Sequence, residues 1–195
     1  YSELPMTIKI IAGVDEVGRG CLAGPVMSAA IILSNKIDRA LLVDSKTISH
    51  NKRCKLADYI IRHSYSIGIG LSTNVEIDKI NIHNATLLSM KRAINNLSIT
   101  PNVIYIDGLY APKTNISSKC FVKGDSIIPE ISAASIVAKV IRDNEMMYLD
   151  KKTRVYSFEK NKGYPTKDHK MALERFGPSI YHRQSFSPIS DMTST

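Results

Sequence analysis

Residues 7–33, TIKIIAGVDEVGRGCLAGPVMSAAIIL, decide the fold of this chain. They contain two apolar runs rich in β-branched residues, 7–14 and 26–33, separated by a glycine-rich segment, 15–25. Runs of this kind, bounded by glycine and proline, are typical of β-strands. The pattern predicts two neighbouring strands joined by a turn that carries functional groups.

The remainder of the chain alternates between helical and strand-like spacing of its apolar residues. Further strands are predicted at residues 64–71, 103–106 and 119–122. Helices are predicted at residues 51–63, 72–97 with a break near 81–84, 131–149, and 164–176, the last opened by Pro165. With no linker or repeat, we expect one domain, residues 1–195, built as a mixed α/β sheet flanked by helices. Its C-terminal portion should be helical and end in a short mobile tail from Asp191.

Charge and cysteine content narrow the class of protein. The chain has 26 Lys and Arg against 18 Asp and Glu, a formal charge of +8, which favours nucleic acid or an anionic membrane as partner. Cys21, Cys54 and Cys120 form no C-x-x-C pair, which argues against a disulfide framework and a thiolate zinc site. No apolar run approaches about 20 residues, and no signal peptide is visible. We therefore expect a cytosolic protein without a membrane span.

Three carboxylates follow predicted strands, and a fourth lies on the longest predicted helix. Asp15 and Glu16 end the first strand, and Asp107 ends the strand at 103–106. Asp143 lies one helical turn after Lys139. Strand ends commonly carry the functional groups of α/β proteins, and converging carboxylates repel one another unless cations lie between them. Such oxygen ligands suit Mg²⁺ or Mn²⁺, although each carboxylate taken alone is more often a solvated surface charge.

The segment Gly18-Arg19-Gly20 places a cation between two residues that let the backbone approach a ligand closely. Its amide groups are suited to a phosphate or a sugar edge, and the structural alternative is a tight turn between the first two strands. The segment matches neither the P-loop nor the dinucleotide-binding motif. A nucleotide cofactor is therefore poorly supported.

Six segments together resemble the type 2 ribonuclease H family, specifically bacterial ribonuclease HII. They are GVDEVGRGCLAGPV (13–26), DSK (44–46), YIDG (105–108), KGD (123–125), SAASIVAKVIRD (132–143) and GYPT (163–166). The resemblance runs in the family's order from about residue 10 to residue 188. Cys21 stands where many relatives carry proline, a change expected to affect the turn and not the chemistry.

The resemblance implies a ribonuclease H-like fold and a defined set of site residues. The acidic tetrad would be Asp15, Glu16, Asp107 and Asp143, which would act as catalytic residues and ligands of two Mg²⁺ or Mn²⁺ ions. The substrate-binding residues would be Gly18, Arg19 and Gly20 at the junction of a ribonucleotide with the next deoxyribonucleotide, Tyr164 on the following sugar, and Ser45, Lys46 and Lys139 near phosphates. His169 and His182 stay outside this set, because a histidine in such a segment is more often structural.

The resemblance also implies the reaction. The enzyme would hydrolyse the RNA strand of RNA-DNA hybrids and incise 5′ to single ribonucleotides in duplex DNA, leaving 3′-hydroxyl and 5′-phosphate ends. This activity fits removal of RNA primers and of misincorporated ribonucleotides. A monomer in the bacterial cytosol is expected.

Other classes of protein explain the sequence less well. A non-catalytic nucleic-acid-binding module has no reason to place acidic residues within a phosphate-binding surface. A Mg²⁺-dependent phosphotransferase would require a nucleotide-cradling motif that the sequence lacks. Type 3 ribonucleases H share the carboxylates but carry an additional N-terminal domain, for which we expect no room in this chain.

Overall fold

The computed structural model describes residues 8–43 and 47–193. In these residues, one sheet contains β1 (Ile11–Val17), β2 (Val26–Ile32), β3 (Ser66–Ser72), β4 (Val103–Asp107) and β5 (Ser117–Phe121). The helices are α1 (Ala40–Val43), α2 (His50–His63), α3 (Asn74–Asn95), α4 (Pro129–Thr153), α5 (Phe158–Asn161), α6 (Lys167–Phe176) and α7 (Ile189–Met192). The predicted mixed sheet with flanking helices is confirmed.

The sheet has the strand order β3-β2-β1-β4-β5, with β1 at its centre. The first three strands form an antiparallel meander, whereas β4 and β5 run parallel to β1. In this register Val14 of β1 pairs with Ala30 of β2 on one side and with Ile106 of β4 on the other. The carboxyl ends of three parallel strands therefore lie at one edge of the sheet.

Helices cover the two faces of the sheet. On one face Ala29 and Ile31 pack in a core cluster that includes the α4 residues Ala134 and Val137. On the other face Ala30 belongs to a cluster that includes α3. Because side chains alternate along a strand, neighbouring residues of β2 serve opposite cores. Strand β2 is therefore buried along its whole length, with α4 on one face of the sheet and α3 on the other.

Helix α3 contains the break that the sequence predicted. Asn81 has φ 67° and ψ 166° inside the helix, and its side-chain oxygen accepts a hydrogen bond from the Asn84 amide at 2.9 Å. An asparagine tolerates positive φ and caps the following turn, so Asn81 separates two helical segments. The first segment starts with a capping box between Thr73 and Glu76.

The first strand lies later in the chain than predicted, at Ile11–Val17 instead of 7–14. Asp15 and Glu16 are therefore within β1 and not beyond its end. The reason is that β1 continues to pair with β2 as far as Val17 and Met27, although its pairing with β4 ends at Val14 and Ile106. One neighbouring strand thus fixes the backbone that carries both carboxylates.

The C-terminal portion packs beneath the glycine-rich segment. Leu22 and Ala23 join Met146 of α4, Phe158 of α5 and Leu173 of α6 in one buried cluster. Helix α6 starts at Lys167 after Thr166, whose hydroxyl accepts from the His169 amide at 3.2 Å, so Pro165 precedes the helix instead of opening it. The tail predicted from residue 191 begins inside α7, whose Ile189 is fully buried.

Candidate active site

Two of the predicted carboxylates lie side by side because of the strand register. Val14 pairs with Ile106, so the next residues, Asp15 and Asp107, follow at the carboxyl ends of adjacent parallel strands. Alternation of side chains places Asp15 and Asp107 on the face of the sheet that α4 covers, since Gly13 two residues earlier packs against α4. A Cβ on Gly13 would lie 2.1 Å from the Glu130 carbonyl carbon, so only glycine allows this helix to approach.

The electrostatics of the three strand carboxylates reflect their crowding. Burial, followed by the negative charges of Glu16 and Asp107, raises the pKa of Asp15 well above its usual range. Burial also raises the pKa of Glu16, where the Asp15 hydrogen bond and Arg19 act in the opposite direction. Glu16 Oε2 is buried and has no hydrogen-bond partner. An unpaired buried oxygen beside two further carboxylates is a donor set suited to a hard divalent cation.

Asp143 reaches the same region from α4. It is 4% exposed, and Lys139 Nζ, one turn earlier on the helix, donates to its Oδ1 at 2.9 Å. Arg142, the residue before it, lies against Gly18, two residues beyond Glu16 in the chain. The helix thus presents Asp143 on the sheet face that holds Asp15 and Asp107, paired with a lysine.

The predicted Gly18-Arg19-Gly20 segment forms a turn directly after β1. Gly18 has φ +91°, and a Cβ there would lie 2.1 Å from Nε of Arg142. Both the backbone conformation and the lack of space therefore require glycine at this position. Arg19 is about half exposed and lies 3.8 Å from Glu16 Oε1. The turn presents a cation beside the carboxylates.

Two buried arginines, which the sequence interpretation did not include in the site, hold this turn in place. Arg142 donates to the carbonyl oxygens of Ala23, Pro25 and Lys162 at 2.7–3.1 Å. Arg183 donates to those of Gly18, Arg19 and Gly24 at 2.6–3.1 Å. Both residues are fully buried. No spacing rule distinguishes a buried arginine from a surface one, so the sequence carries no signal for this role.

Tyr164 lies near two cationic side chains of α4, Lys139 and Arg142. The aromatic centroid is 5.9 Å from Lys139 Nζ and 6.0 Å from the Arg142 guanidinium carbon. Burial raises the pKa of Tyr164, and Cys21 and Asp143 act in the same direction. The structure therefore brings Tyr164 together with Asp143, Lys139 and the glycine-rich segment.

The described residues contain part of the predicted site and gather its carboxylates only in part. Ser45 and Lys46 lie outside the described residues. Within the ranges 8–43 and 47–193, no three His, Cys, Asp or Glu side chains are already gathered around a point where one ion could contact them all. The structure joins Asp15, Glu16 and Asp107 electrostatically and pairs Asp143 with Lys139, so an ion would have to draw the four carboxylates closer together.

The fold and site define a ribonuclease H-like enzyme. Ribonuclease H2 from Pyrococcus horikoshii superposes with a TM-score of 0.78 at 26% identity, covering 93% of this chain and 96% of that one. The structure of Bst-RNase HIII in complex with Mn²⁺ has a TM-score of 0.69 at 16% identity, and the match covers 93% of this chain and 68% of that one. The second likeness shows the fold alone.

Sequence comparison then identifies the family. A family model described as Ribonuclease HII matches residues 12–188. Ribonuclease HII of Pelagibacter ubique is 51% identical over 186 residues, which cover 95% of this chain and 100% of that protein. The chain belongs to the ribonuclease HII family and is an endoribonuclease that acts on RNA-DNA hybrids. No helix in the described ranges is long and apolar enough to span a membrane.

Proposed function

We propose that the enzyme incises duplex DNA on the 5′ side of single ribonucleotides, as well as cutting the RNA strand of hybrids. Asp15, Glu16, Asp107 and Asp143 would hold two divalent ions, Mg²⁺ or Mn²⁺. The observation that carries the proposal is the crowding of Asp15, Glu16 and Asp107 at adjacent strand ends, with a buried Glu16 oxygen that has no partner. Bst-RNase HIII, which shares this fold, is a protein whose structure contains Mn²⁺.

The ions, when bound, would activate the attacking water and stabilise the departing 3′ oxygen. The chain's own residues supply the remaining work. Asp15 and Asp107 are fixed by strand pairing, and Asp143 by a helix packed on the same face, so the ligands come from rigid elements. Lys139 offsets part of the charge of Asp143 at 2.9 Å. Hydrolysis in this arrangement would leave a 3′-hydroxyl and a 5′-phosphate.

Recognition of the substrate would depend on the glycine-rich turn and Tyr164. The turn offers Arg19 and the backbone amides of Gly18 and Gly20 to a ribonucleotide and the adjoining phosphate, while the Tyr164 ring packs on the following deoxyribose. Ser45, Lys46 and Lys139 would contact backbone phosphates, and the charge of +8 favours the duplex. Contacts to sugar and backbone predict little preference for base sequence.

The position and chemistry of the cut test the proposal. A duplex with one ribonucleotide is incubated with Mg²⁺, Mn²⁺ or a chelator, and the products are resolved on a denaturing gel. The expected upstream fragment ends in a deoxynucleotide with a 3′-hydroxyl that a polymerase extends. A cut on the 3′ side of the ribonucleotide, a 2′,3′-cyclic phosphate, or undiminished cleavage in chelator would contradict it. Binding without turnover would instead indicate a nucleic-acid-binding module.

The biological setting follows from this activity. Primer removal and repair of misincorporated ribonucleotides both require such an incision. A cytosolic location rests on the three unpaired cysteines and stays a prediction, as does the monomeric state.

A further inference from the structure

Two fully buried histidines, His169 of α6 and His182 of the segment that follows α6, lie directly against each other. Their Nε2 atoms are 2.9 Å apart. His169 Nδ1 lies 2.9 Å from the carbonyl oxygen of Tyr164. His182 Nδ1 lies 2.9 Å from the backbone nitrogen of Ser179 and 2.8 Å from the Ser179 hydroxyl oxygen, which accepts from the Tyr181 amide at 3.2 Å. The two imidazoles thus connect one backbone acceptor to one backbone donor.

The backbone groups at the two ends determine where the protons are. The Ser179 amide can only donate, so His182 Nδ1 carries no proton, and neutral His182 must be protonated at Nε2. That N–H donates to His169 Nε2, which must then be unprotonated. Neutral His169 is consequently protonated at Nδ1 and donates to Tyr164 O, which can only accept. This arrangement gives each of the four ring nitrogens a partner of the required kind, with the Ser179 hydroxyl free to donate to His182 Nδ1 as well, and both rings are neutral in it.

The surroundings of the pair support neutral rings. Tyr156 and Phe158 pack against both imidazoles, with ring centroids 4.7–6.2 Å away. Burial lowers the pKa of His169, and burial together with the neighbouring His169 lowers that of His182 to about 4. A proton added to either ring would set two N–H groups against each other.

The far end of the pair is fixed to the glycine-rich segment. His182 forms an isolated β-bridge with Ala23, and the neighbouring amide of Arg183 donates to the Leu22 carbonyl oxygen at 2.8 Å. The Asn74 side chain of α3 also donates to the His182 carbonyl oxygen at 3.1 Å. The histidine pair therefore spans from the backbone that continues the Gly18–Gly20 turn to the backbone of Tyr164.

We propose that His169 and His182 are positioning residues for cleavage, forming a directional hydrogen-bond chain that fixes Tyr164 relative to the glycine-rich turn. This inference rests on the proposed role of Tyr164 at the sugar after the ribonucleotide. The chain acts on the Tyr164 backbone and touches neither substrate nor metal. Its loss would loosen the spacing between the two parts that recognise the ribonucleotide junction, without removing any group that contacts the substrate.

The protonation pattern is measurable in the unmodified protein. Nitrogen-15 correlation spectra of the wild-type enzyme at neutral pH should show His182 as the Nε2–H form and His169 as the Nδ1–H form. A His182 ring protonated at Nδ1, or an imidazolium at either position, would overturn the proposal whatever the variants show.

A matched pair of variants tests the connection to Tyr164. His169→Asn keeps an amide N–H at the position of Nδ1, whereas His169→Leu removes the donor. Both variants leave His182 Nε2–H without its partner, so this loss is common to the two, and their rates are compared at equal folded fraction. Cutting at a lone ribonucleotide should fall about 10-fold in His169→Leu relative to His169→Asn, the loss expected for one hydrogen bond. Equal rates for the two variants, at equal folded fraction, would refute the positioning role.

The double variant separates this inference from the proposed function. With Tyr164→Ala as background, the difference between His169→Leu and His169→Asn should disappear, because the ring that the chain positions is absent. A difference that persists would mean that the histidines act elsewhere. If Tyr164→Ala alone cuts as fast as wild type, the proposed role of Tyr164 fails, and the positioning role fails with it. If Tyr164→Ala is impaired but His169→Leu and His169→Asn cut at equal rates, only the inference about the histidines fails.

Discussion

The two buried arginines and the neighbouring carboxylate cluster differ in how fully their buried charges are hydrogen-bonded. All three guanidinium nitrogens of Arg183, and likewise those of Arg142, donate to backbone carbonyl oxygens. In the cluster, the charges of Glu16 and Asp107 add to burial in raising the pKa of Asp15, and one buried Glu16 oxygen has no hydrogen-bond partner. Satisfied charges stabilise a fold, whereas unsatisfied ones of this kind mark a ligand site.

The largest expected effect is on catalysis, through Asp107→Asn. The change removes a negative charge while keeping Oδ1 as an acceptor for the Asp125 amide, which lies 3.3 Å away. We expect cleavage of a hybrid to fall on the order of 100 to 1000-fold or more, with no loss of folded protein. The rate in Mg²⁺ and the circular dichroism spectrum are measured together. A near-wild-type rate would remove Asp107 from the site.

In contrast to Asp107→Asn, Arg183→Met should lower the stability of the fold, and activity should fall because less folded protein remains. Three carbonyl groups lose their donors, two of them in buried hydrogen bonds and one in a partly buried one. At about 1 to 3 kcal/mol each, the free energy of unfolding should fall by about 3 kcal/mol or more. Urea denaturation measures the change. Arg62→Met is the control, since Arg62 is exposed and pairs with exposed Asp58. Similar midpoints for both variants would show that the buried arginine does not support the turn.

Tyr164→Ala tests the substrate side of the comparison. The variant should keep metal binding but cut a lone ribonucleotide about 10 to 100-fold more slowly, because a scissile phosphate displaced by about 1 Å reacts poorly. Rates are compared on a single-ribonucleotide duplex and on an all-RNA strand paired with DNA, at fixed salt and Mg²⁺. If the single-ribonucleotide rate is unchanged, Tyr164 is a packing residue.

The smallest expected effect is on the pH dependence of stability, through the buried pair His169 and His182. The pKa of His182 is about 4, below its ordinary value of 6.5. The unfolded chain therefore binds a proton that the folded chain excludes, so the stability contribution is complete above pH 6.5 and is lost as the pH falls toward 4. Thermal melts across this range should show a shallower acid-side loss for His182→Asn than for wild type. His63→Asn, the same substitution at an exposed histidine, is melted alongside as the control.

The sequence predicted the strands, the long helices and the break in α3, because these depend on local spacing and on the two asparagines that bound residues 81–84. It placed Asp15 and Glu16 at a strand end because pairing of β1 with β2 through Val17 cannot be read from one segment. The four-residue α1 is too short to give a periodic signal.

In the site too, local sequence predicted some residues, whereas others depend on contacts between distant parts of the chain. The structure brings Asp15, Glu16 and Asp107 together at adjacent strand ends and places Tyr164 near Lys139, the partner of Asp143. Positions in strands and on a helix singled out the four carboxylates in the sequence, and the resemblance assigned a role to them and to Tyr164. It could not supply Arg142 and Arg183 as the support of the turn, or the hydrogen-bond chain through His169 and His182. Each of these depends on which distant carbonyl a polar group meets after folding.

Thermal stability with and without Mn²⁺ tests most directly whether the crowded carboxylates are a metal site. In chelator, Asp107→Asn should melt at the same temperature as wild type or higher, because the substitution relieves repulsion in the cluster. In Mn²⁺, wild type should gain stability and Asp107→Asn should gain much less, since a ligand stabilises a fold only as far as it binds. Equal stabilisation of both proteins by Mn²⁺, or a variant that is less stable in chelator, would contradict the account.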